Sequence, residues 1–433
     1  MLTKKKTIGR ARRFGAAALA ATVAAGLFAG CSSDSGDSDG PVTIEFWGWV
    51  PGIEDLVDQW NENNSDIQVE FNRMTGDDQQ KVEGAVEAGT APDLIQLTTH
   101  SIPNYVISGW AQDITEYASG MEDEYVPSAW NAVSVEGRVY GIPQDIGPGG
   151  MMYRADLFEE HGIDVPTTWD EYLDAARALH EADPDLHIAN LSPSETGQWT
   201  QQMQQAHGSW YQIGDDTWEV TVDSEESQVV AERWQTLLDE DLVTTEQMWT
   251  PEYWTLVNEG SIATITYAAW FPVLLAENAA ETSGAWRVAP MPTYPGESYS
   301  SDTGGAALVV LEGSEHPAEA VEFANWLNSS PDTQEHLITV GGLFPASNAG
   351  LESEALMQPM EFFGDQVVNE VFVESARNAA EGWIDGPNYG FVSTAIADEF
   401  ARAVNGEITF SEALSNAADA TRDDLASRGL TVE

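Results

Sequence analysis

Val42-Thr43-Ile44-Glu45-Phe46-Trp47 is β-branched and aromatic almost throughout, the composition of a buried strand. Directly after it, Ile53, Leu56, Val57 and Trp60 recur at i, i+3, i+4 and i+7, which gives a helix one apolar face. Ile67 to Phe71 reads as the next strand. A second unit follows, in which a helix over residues 81–88 is stopped by Gly89 and Pro92 and runs into a strand over 93–97. Strands alternating with helices mean an α/β body, and strands separated by helices imply right-handed crossovers and mainly parallel sheets.

Further along, helix starts are written explicitly. Thr168-Trp169-Asp170-Glu171 is a capping box that opens a helix with Tyr172, Leu173, Ala176 and Leu179 inward. Ser330-Pro331 sets a cap before a first-turn proline. Thr409 and Glu412 open a C-terminal helix that ends at Gly429. Glycine and proline concentrate at residues 144–150, 294–305 and 341–345. Each break alone predicts a loop, and Gly147-Pro148-Gly149-Gly150 reads as a hinge or turn. Three such breaks suit a chain that crosses more than once between two lobes.

The composition narrows the function. The chain has 433 residues, 42% of them hydrophobic, with 17 Lys and Arg against 72 Asp and Glu, a formal charge of −55. That is enough apolar material for two lobes, since single cores stop growing at roughly 250–300 residues. The charge opposes binding to nucleic acid or to an anionic membrane surface. A single cysteine, Cys31, excludes a disulfide framework and a thiolate zinc cluster.

Residues 1–30 read as a signal peptide, with Lys4, Lys5, Lys6, Arg10, Arg12 and Arg13 before an apolar run from Phe14 to Phe28. The run is shorter than the about 20 residues a spanning helix needs. Ala29-Gly30-Cys31 resembles a bacterial lipobox with Cys31 as the lipidated residue; the alternative is a plain secretory signal. Residues 31–40 form a Ser/Asp/Gly tether. Beyond the leader, 11 basic residues remain, and Lys81 is the only lysine among them.

No catalytic signature stands out. The seven histidines have no paired ligand spacing, G-x-S-x-G is absent, and no Gly-rich loop carries a lysine. No cofactor and no metal are expected. Aromatic residues say more. Trp47 and Trp49 stand at the end of the first strand, where open α/β sheets place ligands, and Trp270 follows the apolar run from Ile262 to Tyr267. Trp383 and Tyr389 lie in the turn-rich Gly382-Trp383-Ile384-Asp385-Gly386-Pro387-Asn388-Tyr389. Aromatic faces beside carboxylates suit the flat apolar side and the hydroxyls of a pyranose. Trp60, Trp169, Trp234 and Trp326, on helix faces, read as core.

Several segments in order resemble the extracellular solute-binding protein family 1 of bacterial ABC importers, the maltose/maltodextrin-binding-protein-like group. They are Gly89-Thr90-Ala91-Pro92-Asp93-Leu94-Ile95, Tyr140-Gly141-Ile142-Pro143, Met152-Tyr153-Arg154-Ala155-Asp156-Leu157-Phe158, Pro166-Thr167-Thr168-Trp169-Asp170-Glu171, Gly260-Ser261-Ile262-Ala263, Pro290-Met291-Pro292 and Gly304-Gly305. The resemblance implies a two-lobed periplasmic-binding-protein-like α/β fold with several interlobe crossovers and a central ligand cleft. Lobe 1 would be 41–146 and 303–343, and lobe 2 would be 147–302 and 344–433. Carried over by position, the cleft would use Trp47, Trp49, Thr99, His100, Asp145, Glu195, Gln198, Trp199, Trp270 and Trp383. The protein would be a monomeric, lipid-anchored carbohydrate receptor on the outer face of the cell membrane, with an ABC permease as partner. A quaternary ammonium or polyamine ligand in an aromatic cage, a surface glycosidase and an adhesin are the rivals.

Overall fold

The computed structural model describes residues 40–74, 79–214, 217–294, 299–380 and 382–432. Cys31, the leader and the tether up to residue 39 lie outside the described residues. The strands are β1 (Val42–Gly48), β2 (Ile67–Arg73), β3 (Leu94–Thr98), β4 (Ser134–Val135), β5 (Arg138–Val139), β6 (Ile142–Arg154), β7 (Ala189–Asn190), β8 (Tyr211–Ile213), β9 (Trp218–Val220), β10 (Val243–Thr244), β11 (Thr264–Ala268), β12 (Trp286–Ala289) and β13 (Asp302–Val310). The opening strand–helix–strand reading corresponds to β1, the helix Ile53–Asn63 with Ile53, Leu56, Val57 and Trp60 buried, and β2.

Seven strands make the main sheet, in the order β11-β6-β13-β3-β1-β2 with β12 added against β6. The expectation of mainly parallel sheets is overturned. Within the main sheet only β1–β2 and β1–β3 are parallel, while β13–β3, β13–β6, β11–β6 and β12–β6 are antiparallel. A single helix joins β1 to β2 and β2 to β3, the kind of crossover a parallel pair needs, whereas β6, β11, β12 and β13 pair across long stretches of mixed helices and short strands that bring each back in the opposite direction.

The glycine–proline stretch 144–150 is likewise not a loop: it lies inside the 13-residue strand β6. Proline is tolerated there because the β6–β13 ladder is broken by register shifts between Asp302 and Gly305 and between Ala306 and Ala307. Glycine is required for a different reason. A Cβ on Gly147 would strike the Thr303 carbonyl, and one on Gly305 (φ +104°) would strike the Asp145 carbonyl. The two strands therefore pass closer here than side chains allow.

Both capping boxes form. Thr168 and Glu171 start the helix Trp169–Ala182, and Thr409 and Glu412 start the helix Phe410–Ser427. Buried apolar side chains gather into two cores. The larger covers β1 to β3, part of β6, β13 and the helix Pro317–Ser329; the sheet carries it on to Tyr267, Phe271, Trp286 and Phe372. The smaller joins Trp169, Tyr172, Trp199, Trp210 and Trp234 to Phe400 and Phe410. Among the described residues no helix is long and apolar enough to cross a membrane.

Candidate functional site

A cavity of about 520 Å³ opens beside the irregular stretch of β6 and β13, a volume in the range of small-molecule clefts. One wall comes from Thr99 and His100 after β3, the helix Pro127–Ala132, Asp145 of β6 and the segment from Asp302 to Gly304. The other comes from Glu195 and the helix Thr196–Gln205, from Tyr267 and Trp270 at the end of β11, and from the segment between Gly382 and Tyr389.

At the floor, two carboxylates tie the two long strands together reciprocally. Asp145 Oδ1 accepts from the Ala306 amide at 3.0 Å, and Asp302 Oδ1 accepts from the Gly147 amide at 2.8 Å. Ser128 Oγ donates to Asp302 Oδ2 at 3.0 Å. Burial disfavours the charged form of both, lifting Asp145 to about 7, with the nearby Asp302 charge adding to the effect, and Asp302 to about 6. Asp385 also rises to about 6 through burial, against the pull of its 2.8 Å bond from Trp383 Nε1. Burial lowers His100 to about 4, so its ring is neutral near pH 7.

The second wall is aromatic. Trp270 stacks on Trp249 (6.0 Å between centroids, 26°) and meets Tyr267 edge-on (4.9 Å, 82°). Both indoles are unusually open for tryptophan, Trp270 37% and Trp249 43% exposed. Trp249 adopts a left-handed backbone (φ +70°), a conformation costly outside glycine. Glu195 caps the helix Thr196–Gln205, accepting from the Gly197 amide at 3.2 Å and from Trp249 Nε1 at 2.9 Å. Burial and the adjoining Glu195 charge hold the Tyr267 hydroxyl well above its ordinary range. A second platform joins Trp383 to Trp210 (5.4 Å) and Trp210 to Tyr389 (5.3 Å, 29°), and Tyr389 stacks on His100 of the opposite wall (4.2 Å, 23°).

Of the residues predicted from sequence, the structure brings Thr99, His100, Asp145, Glu195, Trp270 and Trp383 around this cavity, and it places four elsewhere. Trp47 lies within β1, its Nε1 donating to Glu45 Oε1 at 2.8 Å under the Lys81 ammonium, which sits 4.5 Å from the ring centroid. The Trp49 amide donates to Gln96 Oε1 at 2.8 Å, away from the cavity. Gln198 and Trp199 point into the protein, with Trp199 edge-on to Phe400 at 4.7 Å. Helical periodicity explains the miss. Gly197, Thr200 and Gln204, spaced i, i+3 and i+7, line the cavity, which turns Gln198 and Trp199 to the far side. Sequence reasoning did not select Trp249, Tyr267, Asp302, Asp385 or Tyr389 for the site. Tyr267 ends the same apolar run that pointed to Trp270, and Asp385 and Tyr389 share the turn-rich segment with Trp383, so the only signals were neighbours already chosen. Among the described residues no three His, Cys, Asp or Glu side chains are grouped to hold a metal ion.

Residues 47–334 match the family model of bacterial extracellular solute-binding proteins. The chain is 24% identical over 392 residues to the arabinooligosaccharide-binding protein of Halalkalibacterium halodurans, with 86% of each chain covered. It is 24% identical over 416 residues to the lactose-binding protein of Rhizobium radiobacter, spanning 89% of this chain and 93% of that one. Among solved structures, the galacto-N-biose-/lacto-N-biose I-binding protein of the ABC transporter from Bifidobacterium longum, in complex with lacto-N-biose, matches with a TM-score of 0.79. It is 30% identical and covers 92% of this chain and 100% of that one.

Proposed function

Because the chain belongs to the bacterial extracellular solute-binding proteins, a family of receptors rather than enzymes, we propose that it captures a neutral oligosaccharide in this cleft and delivers it to the permease of an ABC importer. Lipid on Cys31 would hold it at the outer face of the cell membrane. The observation that carries the reading is the pairing of two aromatic platforms, at Trp270 and at Trp383, with Glu195, Asp145 and Asp385 in one cavity. Indole faces take the apolar side of a sugar ring, and the carboxylates take its hydroxyls. The described lining contains no Lys or Arg, which favours a neutral sugar over a uronate or sugar phosphate. The names of the relatives, which bind arabinooligosaccharides, lactose and lacto-N-biose, point the same way.

The two lobes are assigned to 41–146 with 303–343 and to 147–302 with 344–433, so that β6 and β13 cross between them. Ligand then works by favouring closure of the two walls, across which His100 and Tyr389 stack. The test is thermal unfolding of the purified protein against arabino-, galacto- and malto-oligosaccharides, with choline and spermidine as cationic controls. A sugar at about 100 times its dissociation constant adds ~2.7 kcal/mol and raises the midpoint. A shift with the cations and none with any sugar overturns the carbohydrate reading in favour of the aromatic cage.

A further inference from the structure

Two β-hairpins outside the main sheet reach the cleft. β4 and β5 are joined at Glu136 and Gly137, both at positive φ (51° and 74°), the two-residue turn that fits strand twist. β8 and β9 form the second hairpin. Glu136 and Gly137 of the first, and Ile213 and Trp218 of the second, line the same cavity as Trp270 and Trp383.

Contacts along the aromatic wall fix where Trp218 stands. Tyr267 lies against Trp270 and beside Glu195, and the Glu195 and Asp385 charges both act on Tyr389. Asp385 holds Trp383, and Tyr211 is hydrogen-bonded to Asn388 and packs on Gly386 of the same segment. Tyr211 in turn meets Trp218 edge-on at 6.0 Å and 87°. Trp218 is therefore tied through Tyr211 to the segment that carries Trp383, while the rings packed against Trp270 are those of Trp249, Tyr267 and Phe271.

The hairpin is braced from outside the cleft. The Trp218 amide donates to the Thr431 carbonyl at 2.9 Å near the C-terminus, and Arg422 Nη2 donates to the Val220 carbonyl at 3.0 Å. Ile213 nevertheless stays 41% exposed. A half-buried indole and an open isoleucine, braced in the lining of the cleft, present an apolar surface with its ordering cost already met.

We propose, in an inference that rests on the carbohydrate reading, that Trp218 and Ile213 form an outer subsite for an additional sugar ring, in the cavity that the Glu136–Gly137 turn also lines. The cleft is thus built for chains of three or more sugars, and the C-terminal segment positions the residue that measures length.

The test is isothermal titration with galacto- and arabino-oligosaccharides of two, three and four residues, read as the ratio of disaccharide to trisaccharide or tetrasaccharide dissociation constants. The wild-type ratio is expected to be roughly threefold to tenfold, the worth of one stacked ring. Trp218→Ala should bring it to about one, and Ile213→Asn should lower it if the tryptophan variant does not fold. Trp270→Ala should weaken every length and keep the ratio. A wild-type ratio near one, or an undiminished ratio in folded Trp218→Ala, overturns the outer subsite while leaving the carbohydrate reading standing. Absence of binding by every sugar length overturns both.

Discussion

Two pairs of tryptophans stand at or near strand ends, and their surroundings differ. Trp47 and Trp49 belong to the end of β1, which lies between β2 and β3; there Lys81 covers one ring and Gln96 holds the backbone. Trp270 follows β11, whose last residue, Ala268, pairs with Gly149 of β6, and Trp249 stacks on it. The end of β11 is thereby delivered to the irregular pairing of β6 and β13, where a Cβ on Gly304 would lie 4.0 Å from Trp270 Nε1. Here the strand-end aromatic beside that irregular pairing lines the cavity, and the one on β1, farther along the sheet, does not. Distance from that pairing in the sheet order, which is a long-range property, separates the two pairs.

The sharpest way to break this contrast is Trp270→Ala. Loss of an exposed stacking face should weaken sugar binding by about 1.4–2.7 kcal/mol, tenfold to hundredfold, with the fold kept. Calorimetric titration showing an unchanged dissociation constant would take Trp270 out of the site. A smaller effect concerns the floor. Asp145 is raised to about 7, so between about pH 4 and 7 the folded protein holds a proton that the unfolded chain has released. Its contribution to stability therefore falls as pH rises through that window and is level above it. Asp145→Asn should flatten the dependence of the unfolding midpoint on pH between 4 and 7 and raise the midpoint near pH 8. A parallel profile for variant and wild type would contradict a burial-raised Asp145. Smallest in its effect on sugar binding is Trp47→Ala, which removes a half-buried indole packed against the larger core together with a cation–π contact worth about 0.5–1 kcal/mol of stability. Sugar affinity should stay within about twofold, and a larger loss would return β1 to the cleft.

Local signals carried much of this molecule. The apolar face of Ile53, Leu56, Val57 and Trp60, and the caps at Thr168 and Thr409, are set by residues a few positions apart, and each formed the element it predicts. Strand direction was not legible, because β6 finds β11, β12 and β13 through pairings across 110 residues or more of chain. Pro148 reads as a loop residue until the bulged ladder that leaves room for it is known. The site divides along the same line. Trp270 and Trp383 could be found from strand ends and turns, and Asp145 and Glu195 by resemblance. Asp302 acquires its role through Gly147 and Ser128, and Trp249 through Trp270 and Glu195, partners remote in sequence.

One further consequence follows from Lys81. From Pro41 onward it is the only lysine, and its ammonium lies over Trp47, outside the cavity lining. Side-chain amine chemistry can thus couple this part of the chain to a surface at one defined point with the cleft left free. A fluorophore placed there would sit next to an indole able to quench it, turning the end of β1 into an optical reference outside the cavity lining.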